Sequence, residues 1–130
     1  MNDKVLKIAF ILGALAVVLG AFGAHALKKL LDAQQLQTYQ TAVQYHFYHV
    51  FALAITGILL KGSSGKWLMN AGNLFVTGII LFSGSLYIMS FLNAVGIEGV
   101  SWLGAITPLG GVCFIGGWIC LFMAVRKIIQ

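Results

Sequence analysis

The chain has 130 residues, of which 60% are hydrophobic and only 8% charged, with a mean hydropathy of +0.96. A soluble fold of this size needs far more polar residues to coat one core, so the composition excludes an ordinary globular protein and indicates an integral membrane protein. The eight basic residues behind the net charge of +5 sit at the ends of apolar runs rather than on one solvated face, which fits topology signals and headgroup contacts and excludes a nucleic-acid surface.

Residues 5–27 form the first apolar run, with Lys4 and Lys7 at its start, and it is long enough for one span at about 1.5 Å per residue. A positive flank followed by Ala24-His25-Ala26 also imitates a secretory signal peptide, but the run is longer than a signal core and the remaining chain is equally membrane-like. It is therefore read as a helix. Gly13, Ala16, Gly20, Gly23 and Ala24 give it a small-residue surface that lets another helix approach closely.

Lys28 and Lys29 end that helix, and Asp32 followed three residues later by Gln35 has the pattern of a capping box. Leu36, Tyr39, Val43, His46, Phe47 and Val50 then share one face, with the glutamines mostly elsewhere. This predicts an amphipathic helix over residues 33–45, lying in or projecting from the interface, before a second span over residues 45–60.

The turn 61–66 leads through Trp67, at an aromatic-belt position, to a third span over residues 73–92. Ser83, Tyr87 and Ser90 line one face of its second half and should point into the bundle, because polar atoms at membrane depth avoid lipid. A loop carrying Glu98 precedes the fourth span, residues 108–125. Thr107 and Pro108 suggest an N-cap with proline in the first turn, and a helix starting near Ser101 with a kink at Pro108 is the alternative. Gly110, Cys113, Gly117, Cys120 and Ala124 make a second small-residue seam, suited to a neighbouring helix or another subunit. The cysteines, seven residues apart on one helix, are separated by about 10 Å and cannot form a disulfide.

The expected fold is thus all-α, a single four-helix transmembrane domain over residues 1–130 with an amphipathic segment between the first and second spans. Four spans place Lys4, Lys7, Lys61, Lys66, Arg126 and Lys127 on the terminal side against Lys28 and Lys29 on the other, which predicts cytoplasmic termini in a bacterial inner membrane. No internal repeat relates the two hairpins.

The segments Gly20-Ala-Phe-Gly-Ala-His-Ala-Leu27 and Tyr39-x-x-Ala-Val-x-Tyr-His-Phe-x-His49, with the turn and the Ser/Gly-containing third span after them, resemble the bacterial family known as domain of unknown function 423. That family is similar to the eukaryotic transmembrane protein 256. The resemblance extends along the whole chain and implies a small multi-pass membrane protein with Gly20, Gly23, His25, Tyr45, His46 and His49 as hallmark residues. It implies no particular activity or cofactor.

The residues leave two functions open. One is a structural or accessory membrane component that assembles through its glycine-rich faces, with membrane lipids, a second copy or a larger complex as partners. The other is a binding protein for an amphipathic small molecule or lipid in the outer half, where His25, His46, His49, Tyr45, Ser83, Tyr87, Ser90, Thr107 and Glu98 are all expected. His46 and His49, one turn apart, could join His25 as metal ligands, but the spacing is a weak metal signature, and histidines hydrogen-bonding across helices explain it as well. Enzymatic catalysis has little support, since no acid is placed to orient a histidine and no serine has an elbow context.

Overall fold

Apolar runs of helical period, interrupted by Lys28-Lys29, by the turn 63–65 and by the loop 96–99, fold into four long helical segments in the computed structural model, which describes residues 3–130. The segments Asp3–Lys29, Ala33–Gly62, Lys66–Ala94 and Ser101–Ile129 are each long and apolar enough to cross a membrane, and no strand occurs among the described residues. The all-α four-span fold expected from the sequence is the observed one. Helix α1 (Asp3–His25) packs along α2 (Ala33–Gly62). Helix α5 (Thr107–Ile129) packs along α3 (Lys66–Gly78), and α2 joins the two pairs by lying against α3 and α4 (Gly84–Ala94).

The start of α2 follows its sequence. The Asp32 carboxylate accepts from the Gln35 amide at 2.8 Å, and the Gln35 side chain accepts from the Asp32 amide at 3.1 Å, completing the capping box. Two otherwise orphaned amides are satisfied there. Asp32→Ala should therefore destabilise the fold by about 1 kcal/mol. Hydrogen exchange should show the amides of residues 34–37 opening faster, and unchanged protection there would contradict that role.

From this cap α2 runs unbroken for 30 residues, about 45 Å, so the amphipathic stretch 33–45 and the second span are one continuous helix. Tyr39, in the stretch expected to lie in the interface, is 1% exposed and donates its hydroxyl to the Leu19 carbonyl of α1. A partner helix, rather than the water boundary, receives the apolar side of this stretch. The third segment likewise begins at Lys66 and not at residue 73, so Trp67 lies inside the helix.

Between α3 and α4 the chain takes one π turn, residues Ile79–Ser83, where the Gly84 amide bonds the Ile79 carbonyl five residues back. One inserted residue rotates everything after it by about 100° about the helix axis. Ser83, within this turn, and Tyr87 and Ser90 after it are buried as their spacing predicts, at 0%, 8% and 1% exposure, and Ser83 and Tyr87 bond α2.

The fourth segment opens with a 3-10 turn, Ser101–Ala105, and Ile106 is already helical at φ −78° and ψ −32°, so α5 follows without a side-chain cap. Thr107 does not serve as the N-cap; its hydroxyl pairs with that of Ser85 at 2.8 Å. In the loop before it, Gly96 and Gly99 take φ of +80° and +75°, which an L side chain adopts only under strain.

Both small-residue seams close inside the molecule. Ala16 is fully buried, a Cβ on Gly13 or Gly20 would already touch α2 at 3.4 Å, and the Tyr39 ring fills the space beside Gly23. On α5, Gly117 admits the Phe75 ring, Gly110 admits the backbone of Phe82, and Cys120 and Ala124 are buried. Cys113 is half-buried, both cysteines are free thiols, and Ala24 is exposed. The glycines thus serve helix contacts within the chain.

Candidate functional site

With α2 continuous to Gly62, His46 and His49 lie near its middle, roughly 20 Å from either end, instead of at the mouth of a shorter span. The expected outer-side cluster is thereby divided among several places.

His49 is 5% exposed and meets α5 on two sides. Its ring stacks on Phe114, with centroids 3.4 Å apart and planes 5° from parallel. Its Nδ1 lies 2.6 Å from the Tyr45 carbonyl, and the Trp118 indole N–H points at its Nε2 from 3.2 Å. A carbonyl can only accept and an indole N–H can only donate, so the proton sits on Nδ1 and the lone pair on Nε2. The ring is neutral in this arrangement, and both nitrogens are in use. Nitrogen-15 shifts of the His49 ring at neutral pH should report the Nδ1–H form; an Nε2–H form would contradict the Trp118 bond.

His46, 1% exposed, places Nδ1 at 2.8 Å from the Tyr87 hydroxyl of α4. Its Nε2 is buried with no partner of good hydrogen-bond geometry among the described residues, although the Leu12 backbone of α1 is close enough to interact with the ring. Around this pair, Ser83 donates to the Ala42 carbonyl at 2.7 Å, and Tyr39 bridges to α1 while its ring contacts Tyr87 at 5.5 Å. Four polar side chains therefore bind α1, α2 and the π turn with α4 into one unit. Each such bond replaces an unsatisfied group in an apolar setting, which is why these residues occur at depth at all.

The remaining expected residues do not join this centre. His25, at the end of α1, and Glu98, in the loop before α5, are exposed. Thr107 is with Ser85, and Tyr45 stacks on Phe82 at 4.6 Å. Ser90 lines a hollow of about 240 Å³ at the Asp32 end of the bundle, shared with Gln35, Thr38 and Asn93. His25, His46 and His49 do not converge, and no group of three or more His, Cys, Asp or Glu suited to a metal occurs among the described residues. Phe114 and Trp118, which hold His49, were missed in the sequence because they sit in an apolar run, where aromatic residues read as lipid-facing.

The profile of the family described as "Protein of unknown function (DUF423)" matches residues 19–111. The chain is 47% identical over 127 residues to the UPF0382 membrane protein YwdK of Bacillus subtilis, covering 94% of this chain and 98% of that one. A UPF0382 membrane protein of Staphylococcus haemolyticus is 38% identical over 95% of this chain and 99% of its own length. One from Haemophilus influenzae is 36% identical over 93% and 92%. No solved structure matches the chain.

Proposed function

Since the chain belongs to the DUF423 family of bacterial membrane proteins, a family without an assigned activity, we propose that it is a structural or accessory component of the cytoplasmic membrane, with its termini in the cytoplasm. The observation that carries this reading is the use of the buried polar groups. His49, Ser83, Tyr39 and Tyr87 each bond a neighbouring element instead of lining an open cavity. Such bonds fix the relative positions of helices and supply no reactive group. The six basic residues at the terminal end, against two at the other, support the orientation.

In this reading the internal seams make the fold, and assembly uses the outer flanks of α1 and α5, where Phe10, Val17, Val112 and Phe122 are exposed. Native mass spectrometry of protein released from membrane patches should show multiples of the chain's mass or a second polypeptide. A bare monomer throughout would sink the assembly role.

The hollow at Ser90 favours a second reading, an amphipathic small molecule held at the Asp32 end. The same spectra should then carry a small-molecule adduct that Ser90→Phe abolishes. An adduct that survives Ser90→Phe, or none at all, would reject it.

A further inference from the structure

At the opposite end of the bundle from Asp32, the turn between α2 and α3 encloses a cavity of about 500 Å³ against the last turns of α5. Its rim is Ser63, Ser64, Lys66 and Lys127, and its floor is Trp67, Leu68 and Ala124. The two lysines come from different elements, one opening α3 and one near the end of α5, so the fold itself brings the like charges to one opening. Like charges brought together at one opening are unfavourable unless something neutralises them. None of the three acidic residues lines the cavity; Asp32 and Glu98 lie at the far end of the bundle, and Asp3, which opens α1 at the near end, is outside the lining. Lys61, on the other side of the same turn, adds a third ammonium beside a wider open hollow.

We propose that this cavity holds the phosphate of an anionic phospholipid headgroup. The ammoniums of Lys66 and Lys127 supply the charge, the hydroxyls of Ser63 and Ser64 supply neutral donors, and the apolar floor lies where the glycerol and first methylenes of the chains would pass toward the hydrocarbon. A mixed polar and apolar lining suits a headgroup better than a fully hydrated anion. Basic pockets between spans at a membrane surface have this chemistry. The site is separate from the polar centre at His46 and does not depend on it.

The test uses the full-length protein in nanodiscs made with equal phosphatidylglycerol and phosphatidylethanolamine, released into a native mass spectrometer. Phosphatidylglycerol adducts should be enriched. Both lysines are exposed, so Lys66→Gln with Lys127→Gln should leave the fold intact, checked by an unchanged thermal transition. That variant should lose the enrichment by roughly tenfold or more, as two ammoniums near an anionic headgroup require. Lys28→Gln with Lys29→Gln removes the same charge from the other end and should retain it. Enrichment that persists without Lys66 and Lys127, or falls equally in the Lys28/Lys29 variant, would overturn the assignment. Displacement of the lipid by inorganic phosphate at matching concentration would place a free ion in the cavity and overturn the lipid reading as well.

Discussion

Gly110→Ala should destabilise the protein by about 2–3 kcal/mol, because the added methyl has nowhere to go. A Cβ at this position falls 2.7 Å from the Phe82 Cβ and 2.8 Å from its Cα, and backbone in a π turn cannot withdraw as a flexible side chain can. The neighbouring Gly111→Ala is the control. Its Cβ would meet only the Phe82 ring at 4.0 Å, so it should be neutral or, through helix propensity, stabilising by about 0.5 kcal/mol. Reversible unfolding in mixed micelles checks both. Equal stabilities of the two variants would show that α5 can move away from the π turn, contrary to the packing described.

This close approach also marks the limit of what could be read from the residues. The four spans, the Asp32–Gln35 cap and the inward stripe of Ser83, Tyr87 and Ser90 rest on local chemistry and period, and those were legible. The π turn was not, because it reflects the fit of the Phe82 backbone against a glycine on another helix 28 positions later in the chain. The packing of the first half of α2 was illegible for a related reason. Glutamines between residues 34 and 44 read as a water boundary, yet they occupy the outer side of a helix whose opposite face carries buried Tyr39 and Ala42. Thr107 was expected to cap α5 because Thr-Pro favours that role, but the 3-10 turn before it feeds the helix directly and frees the hydroxyl for Ser85.

The second large effect concerns the His46–Tyr87 pair. Tyr87→Phe removes the hydroxyl that bonds Nδ1 of the buried imidazole and leaves that nitrogen unsatisfied, at about 1–3 kcal/mol. His46→Phe strands the Tyr87 hydroxyl in the same way. Replacing both removes the mismatch, so the double variant should be more stable than the sum of the single losses predicts. The coupling expected for an interhelical bond in this setting is about 0.6–1.7 kcal/mol. Strict additivity across the cycle would mean that the two side chains do not share a bond.

The unbroken length of α2 has a chemical consequence. Its two histidines lie about 20 Å from either end of the helix, buried against Tyr87, Phe114 and Trp118, whereas His25 stands exposed where α1 stops. A water-borne acylating reagent such as diethyl pyrocarbonate should therefore modify His25 alone in the folded protein and reach all three only after unfolding. The three histidines are thus two chemical populations, and a reagent that distinguishes them reports directly on whether the bundle is closed.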